Sequence, residues 1–527
     1  MATIEIAAQK IRSLNPATGE LLGELDCATE AEVLAAVARA HAAQPAWDER
    51  GVRPRIEVLR EFQRLLHARK SEIAAAITRE AGKPVAEALV TEVLVVLDAA
   101  RFLIDHAWRL LRDEPILHGN LATKLKRGKI VREPHGVIGI ISPWNYPFSI
   151  PATETLAALV AGNAVVLKPS ELTPLIALEL ALLLHQAGVP ADVFQVIIGE
   201  GATGAALLRT AAPDAGIDKL VFTGSVTTGK RIAAAAAERL LPVVLELGGK
   251  DPMLVLHDAE VDVASSAAVW GSFVNAGQAC LSVERCYVHR SLYERFAMAC
   301  AEKAQRLRVG NGMDKDADVG PMIHERQLQI VAAHVEDAKS RGAKILAGGA
   351  RLPELGPNFY APTVLAGVAR DMRILREETF GPVLPIIAFD TDDEAVALAN
   401  DSEYGLAASI FTRDRARGER LARRIHAGTV MVNDVISCFG ISEAPHGGVK
   451  ASGQGRTHGR FGLEEMVSMK YLDVDLMPGM KKIWWHRYGE DFRDQMEGFL
   501  DLQFARGLQA KLRGAAKAAG ALLRKPL

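Results

Sequence analysis

At 527 residues the chain is too long for one small core, and its length favours two or three domains. Hydrophobic residues make up 49% and charged residues 24%, the balance of an ordinary globular protein. A formal charge of -2 and a pI near 6.7 exclude any overall attraction to nucleic acid, so no nucleic-acid partner is expected.

The five cysteines (Cys27, Cys280, Cys286, Cys300 and Cys438) contain no CxxC pair. That argues against a disulfide framework or a zinc site and points to reduced thiols in a cytoplasmic setting, with no metal. The opening Met1-Ala-Thr-Ile-Glu-Ile lacks the basic and apolar segments of a secretory leader. No apolar run reaches the ~18–20 residues that span a bilayer.

Residues 30–112 carry apolar positions at helical spacing, with Ile56, Leu59, Phe62, Leu66 and Ile73 as one stripe, and predict a helical layer. The alternation around 118–133 predicts a pair of strands turning near Gly128. Buried strands follow at Val137–Ile141, Ala164–Leu167, Val193–Ile198 and Leu220–Phe222. Helices are expected between them at Ala152–Leu159, Leu175–Gln186, Gly204–Thr210 and Gly229–Leu240. Such alternation implies a parallel, doubly wound sheet. A second α/β series runs from about 250 to 445, with strands near Pro252–Leu256, Cys286–Val288, Val383–Ile387 and Thr429–Val432. The lack of a low-complexity linker suggests two closely packed halves with a cleft between them.

The chemistry concentrates in a few segments. Phe273-Val-Asn-Ala-Gly-Gln-Ala-Cys280 sets one cysteine in a polar, turn-like loop that can expose sulfur and offer a backbone N–H to an oxyanion. The other cysteines read as small core residues. Glu246, in Leu245-Glu-Leu-Gly-Gly-Lys250, follows an apolar strand, and partial desolvation would raise its pKa and suit it to activate water. A solvated strand-end carboxylate is the plainer reading of the same residue.

Ser142-Pro-Trp-Asn-Tyr-Pro147 lies at a strand's carboxyl end, where ligands collect in open α/β sheets; Asn145 there either donates an N–H or organises a turn. Two glycine-rich stretches compete for a dinucleotide. Gly199-Glu-Gly-Ala-Thr-Gly204 matches GxGxxG without the acidic residue that usually follows, and Phe222-Thr-Gly-Ser-Val-Thr-Thr-Gly229 also opens a helix. Lys168-Pro-Ser-Glu171 adds a cation and a carboxylate suited to ribose hydroxyls.

Together these segments resemble the NAD(P)-dependent aldehyde dehydrogenase superfamily over roughly residues 13–475. Glu378-Thr-Phe-Gly-Pro382 and Pro445-His-Gly-Gly-Val-Lys450, leading to Ser452-Gly453, complete the pattern in the same order. The resemblance implies an α/β fold: a Rossmann-type cofactor domain (1–117 and 134–248), an α/β catalytic domain (249–455) and a small β oligomerisation element (118–133 and 456–476). It implies Cys280 as nucleophile, Asn145 as oxyanion donor and Glu246 as the base for deacylation. NAD, with NADP as the second choice, would meet Trp144, Lys168, Glu171, Gly201, Gly224, Ser225, Gly229, Glu378 and Phe380. Lys168 and Glu171 would face the adenosine ribose, Ser225 the pyrophosphate, Glu378 the nicotinamide ribose and Phe380 the nicotinamide, with Gly201 nearer the adenine. The implied partners are an aldehyde and further copies of the chain, as a homodimer or homotetramer.

Three departures matter. Thr457 follows Arg456 where many relatives carry a second Glu, so no proton relay is expected from that position. His446 stands where Phe is common. Ser149, Ile150 and Thr153 give a less aromatic tunnel near Asn145, which leans towards medium or long aliphatic aldehydes. Acyl transfer to coenzyme A, a semialdehyde substrate, a non-catalytic relative and a papain-like thiol hydrolase are the rivals; an effective water base at Glu246 argues against the first.

Beyond the shared pattern, 477–527 begins with Lys481-Lys-Ile-Trp-Trp-His-Arg-Tyr488. Met496, Leu500, Phe504, Leu508 and Leu512 then recur as on one helix face, and after Asp501 only basic residues carry charge. This reads either as a helical cap or subunit contact, or as a basic amphipathic helix in peripheral contact with an anionic membrane.

Overall fold

The computed structural model describes residues 10–209, 216–482, 484–486 and 488–520. Thr210 of the expected fourth helix, Ile483 and Arg487 of the aromatic segment, and Arg524 and Lys525 of the basic tail lie outside them. The described chain divides into two compact units, the larger comprising the residues up to Leu110 together with Pro134–Val467.

The larger unit holds two mainly parallel sheets. The six-stranded sheet runs Gly453–Gln454, Val243–Glu246, Lys219–Thr223, Val137–Ile141, Ala164–Lys168, Phe194–Val196. Its strands are almost continuously apolar and buried, as a sheet with layers on both faces requires. Chain order runs outward both ways from Val137–Ile141, so the sheet reverses between that strand and Lys219–Thr223. Pairing of Ile141 with Lys168 and Phe222, and of Thr223 with Glu246, aligns four carboxyl ends along one edge. Loops at such a reversal leave a crevice for ligands.

The seven-stranded sheet runs Lys344–Ala347, Thr363–Ala366, Val383–Phe389, Val283–His289, Asp251–Val255, Ala407–Phe411, Thr429–Val432, and only the first strand is antiparallel. Three of these strands (Lys344–Ala347, Thr363–Ala366 and Ala407–Phe411) were not expected. After this sheet the chain returns to the first one, where Gly453 and Gln454 pair antiparallel with Glu246 and Leu245. The larger unit thus extends to Val467, whereas the expected oligomerisation element begins at 456.

The helical layer forms as expected, and Ile56, Leu59, Phe62, Leu66 and Ile73 are all buried. They are shared between two helices, Val52–Ala68 and Lys70–Ala81. Within the next run, Leu89–Val93 forms a π-helical turn, a distortion often found at functional sites.

The smaller unit contains Leu111–Glu133 and the described residues from Ser468. Its three-stranded sheet runs Val467–Asp475, Lys126–Pro134, Glu114–Ile116. The expected turn near Gly128 is absent: Gly128 lies inside a strand, paired with Ile116. A side chain there would meet the Tyr471 hydroxyl at 2.6 Å, so the glycine serves close approach rather than chain reversal.

The tail is not one helix face. The helix Glu490–Phe504 ends where Ala505 turns extended (φ -64°, ψ 144°), and Leu508–Ala518 packs back against it. Leu500, Phe504, Leu508 and Leu512 are exposed on this hairpin. No helix among the described residues is long and apolar enough to cross a membrane.

Candidate active site

The loop carrying Cys280 starts where the helix Val261–Phe273 stops. Asn275, Ala276 and Gly277 follow with φ of 52°, 54° and 71°, a left-handed run that costs on the order of 1 kcal/mol or more per non-glycine residue. Hydrogen bonds hold it in place. The Asn275 side chain donates to the carbonyls of Asn145 (2.9 Å) and Gln278 (3.0 Å), and its backbone N–H donates to Glu87 at 3.0 Å. Gln278 donates to the Asn275 carbonyl at 2.9 Å and accepts from the Ile323 N–H at 2.9 Å. Gly277 has no room for a side chain, because the Gly381 carbonyl occupies that space.

Asn145 is buried against this loop and donates to the Gln278 carbonyl at 3.1 Å. An amide NH2 has a second hydrogen, so one donor remains for a substrate oxygen. Its backbone carbonyl accepts from Lys83 at 2.7 Å. Lys83 also donates to Glu92 at 2.7 Å, both side chains fully buried, and Glu92 in turn accepts from the N–H groups of Phe148 (2.9 Å) and Ser149 (2.8 Å). Glu92 therefore caps the helix Ser149–Ala161 and ties Asn145 to the helical layer. Nothing in the local pattern singled out Lys83, Glu87 or Glu92, since charges within a helical stripe ordinarily face solvent.

Glu246 ends the strand Val243–Glu246. Both its carboxyl oxygens are buried with no hydrogen-bond partner among the described residues, and His446 Nε2 stands 3.7 Å away. Burial, and then the neighbouring Glu154, hold its pKa well above the ordinary carboxylate value. Cys280 is partly exposed towards a cavity, yet protein surrounds its sulfur. Burial, with Asp251, Glu378 and Glu246 nearby, pushes its thiol pKa well up as well. A nucleophilic thiolate must therefore be generated during the reaction.

Cys280 stands between two cavities. One, of about 440 Å³, is lined mainly by apolar side chains, including Val90, Leu94, Trp270, Ile436, Phe439 and Ile441. The other, of about 20 Å³, joins Cys280 to Glu246, His446 and Phe439. Ile150 lines both, and Thr153 only the smaller. Ser149 lines neither and instead binds Glu92 through its N–H. Tyr146, Trp270 and Phe439 make the large cavity more aromatic than expected.

Of the other candidate residues, Trp144, Lys168, Glu171, Gly201, Gly224, Ser225 and Gly229 lie at the strand ends, loops and helix starts along the six-stranded sheet's carboxyl edge, and Glu378 and Phe380 approach Gly249 and Trp144 from the loop before Val383–Phe389. Ser225 caps the helix Val226–Ala237, accepting from the Thr228 N–H at 3.3 Å, and Gly224 and Gly229 flank it. Lys168 ends its strand, buried, with Nζ 2.9 Å from the Pro169 carbonyl and 3.7 Å from Glu171. Gly201 opens the helix Gly201–Arg209. Trp144 and Phe380 meet edge to face at 5.4 Å. Glu378 turns inward and accepts from the Gly249 N–H at 3.0 Å, and burial raises its pKa to about 8. A helix N-terminus with a serine cap fits a pyrophosphate, and a carboxylate beside an ammonium fits ribose hydroxyls, so this edge suits a nicotinamide dinucleotide.

The aldehyde dehydrogenase family model matches residues 4–472. A mitochondrial succinate-semialdehyde dehydrogenase of Oryza sativa subsp. japonica is 39% identical over 459 residues, covering 87% of this chain and 85% of its own. Among solved structures, an NAD-dependent aldehyde dehydrogenase from Sinorhizobium meliloti aligns with a TM-score of 0.86 at 36% identity, covering 92% of this chain and 95% of its own. An E. coli NADP-dependent enzyme aligns at 0.84 and 36%, covering 89% and 95%. The chain belongs to the aldehyde dehydrogenase family. It is an NAD(P)-dependent oxidoreductase that acts on aldehydes. The match ends at 472, and these relatives lend no support to membrane contact by the tail.

Proposed function

We propose that the chain oxidises an aldehyde to the carboxylic acid through a thioester on Cys280. The observation that carries this reading is the position of Cys280 between an apolar cavity and a water-sized chamber containing Glu246. The aldehyde enters through the cavity and its carbonyl carbon takes the Cys280 sulfur. Asn145 and the Cys280 backbone N–H receive the developing oxyanion, a contribution of roughly 3–4 kcal/mol per donor. When bound, the dinucleotide would supply the hydride acceptor needed to turn the Cys280 thiohemiacetal into a thioester. Glu246 then takes a proton from water, the hydroxyl joins the acyl carbon, and the carbon–sulfur bond breaks to restore the Cys280 thiolate. Lys168, Glu171 and Ser225 would hold the dinucleotide, with Trp144, Gly201, Gly224, Gly229, Glu378 and Phe380 around it.

Two observations bear on the aldehyde. The rice relative's name favours a semialdehyde. The cavity favours an uncharged chain: among the described residues its lining holds no Lys, Arg or His, and its one acid, Asp98, already pairs with Arg101. Placing an unpaired carboxylate there would cost several kcal/mol, whereas each buried methylene contributes about 0.8 kcal/mol. Octanal should therefore surpass succinate semialdehyde in kcat/KM by about tenfold or more. A preference for succinate semialdehyde would overturn the uncharged reading and favour the semialdehyde.

Glu171 beside Lys168 suits two ribose hydroxyls and repels a 2′-phosphate. NAD should be preferred, and Glu171→Gln should shift the ratio of kcat/KM values towards NADP by about tenfold. An unchanged ratio would remove Glu171 from the cofactor site. Self-association as a dimer or tetramer is also proposed, supported by the edge strand Val467–Asp475, which exposes Met469, Tyr471 and Val474.

A further inference from the structure

The chain beyond residue 472, where the family match ends, builds most of a second large cavity, of about 360 Å³, within the smaller unit. Its walls are mainly apolar. Leu121 and Leu125 come from the segment before the strand Lys126–Pro134, Met480 and Trp484 from the chain after Val467–Asp475, and Phe499 and Leu502 from the helix Glu490–Phe504. Packed interiors leave few voids larger than a water molecule, so space on this scale is a feature of the fold. It falls in the range of small-molecule sites, about 300–1,000 Å³.

Loosely packed helices are not the cause. A side chain on Gly514 would meet the Leu502 nitrogen at 2.5 Å, and one on Gly498 would meet the Gly514 carbonyl at 2.8 Å, so these glycines bring the two helices of the hairpin into backbone contact. The space is left by Ala515, Ala518 and Ala519, which line the cavity at helical spacing where larger side chains would close it. Leu121, Leu125, Met480 and Trp484 stay exposed, which gives the cavity an apolar rim open to solvent.

The charged groups in the wall are Lys126, Lys482 and Asp475. Asp475 is already engaged: it pairs with Lys482 and accepts from the Met477 N–H at 2.8 Å. Each ammonium has three donors. Lys482 meets Asp475 and the Met477 carbonyl, the latter at 3.0 Å, and Lys126 pairs with Asp473, which stands outside the described lining. Two cations with donors to spare therefore face the space, against one occupied carboxylate. The helix Leu508–Ala518 adds Lys511, Arg513 and Lys517 and no acid. An apolar slot with spare ammonium donors in its wall matches an alkyl chain that ends in a carboxylate.

We propose that this cavity binds one free fatty carboxylate, with its alkyl chain among Leu121, Met480, Phe499 and Leu502 and its carboxylate on Lys126 and Lys482. The site is distinct from Cys280 and stands whether or not the thioester reading holds. Its signature is the sign of the head group. An alkylammonium of equal length would bring its charge against the two lysines, and only the carboxylate gains them as partners.

The test is photolabelling of the full-length chain with dodecanoate bearing a diazirine near its methyl end, followed by peptide mapping. Adducts should form within 475–519. Unlabelled dodecanoate should displace them, and dodecyltrimethylammonium should compete about tenfold less well. Ala515→Trp fills the space and should lower this labelling about tenfold, with turnover of octanal unchanged. If that chain does not fold, Lys126→Met keeps the wall apolar and should weaken dodecanoate by a similar factor. No adduct in 475–519, labelling undiminished in either folded variant, or equal competition by the ammonium would overturn the site. Displacement by phosphatidylglycerol vesicles but not by free dodecanoate would give the cavity to a membrane lipid and overturn the single-chain ligand. Labelling seen only after removal of residues 521–527 would assign the space to that segment and overturn it as well.

Discussion

Cys280→Ala is expected to abolish aldehyde oxidation while leaving the chain folded and able to bind NAD. The side chain is small and partly exposed, so its loss opens little new cavity. The loop itself is held by Asn275, Gln278 and Asn145, and the sulfur takes no part in that network. No other thiol can substitute. Cys27 lies beside Glu200 and Lys168 and lines neither cavity, Cys286 and Cys300 are sealed in the core, and burial raises Cys438 to about 12. Removing a sole nucleophile costs on the order of 10⁶ in turnover. Steady NADH formation with octanal measures the loss and a thermal melt verifies the fold. Turnover near that of the unsubstituted chain would dismiss this cysteine.

Glu246→Gln should separate the two halves of the reaction. Acylation does not need a water base, so one NADH per active chain should still form rapidly. Deacylation should slow by about 10²–10⁴. The sign of the pH dependence follows from the raised pKa values of Cys280 and Glu246. Both must be deprotonated to act, so turnover rises as pH increases and falls on acidification. In Glu246→Gln the part of that rise due to deacylation should vanish, which a stopped-flow pH series would detect. Steady turnover without a burst would count against Glu246 as the base.

Much of this site was legible because its chemistry lies in contiguous segments. Cys280 in its Asn-Ala-Gly-Gln loop, Glu246 after an apolar strand and Asn145 after Val137–Ile141 each carry their context beside them. The Val137–Ile141 and Thr429–Val432 strands have the expected bounds for the same reason: they are short apolar runs with clear ends. Thr363–Ala366 and Ala407–Phe411 are buried throughout, but small residues dilute their patterns.

What escaped the sequence depends on distant pairing. Lys83 and Glu92 tolerate full burial only because they meet each other, and neither signals that partner locally. The π-helical turn at Leu89–Val93 brings Val90 into the wall of the large cavity. His446 and His458 become neighbours only through the backbone bridge at Thr457. Gly128 suggests a turn because glycine has two uses, and only the approach of Tyr471 distinguishes them. The basic, aromatic tail suggested a single stripe because a period of four continues through a hairpin as readily as along one helix.

The most direct test is to trap the acyl group. Mixing Glu246→Gln with octanal and NAD, quenching in acid and weighing the digested peptides should show one octanoyl addition on the peptide bearing Cys280. An unmodified Cys280 peptide alongside a full burst of NADH, or an acyl group on another residue, would contradict covalent catalysis at this sulfur.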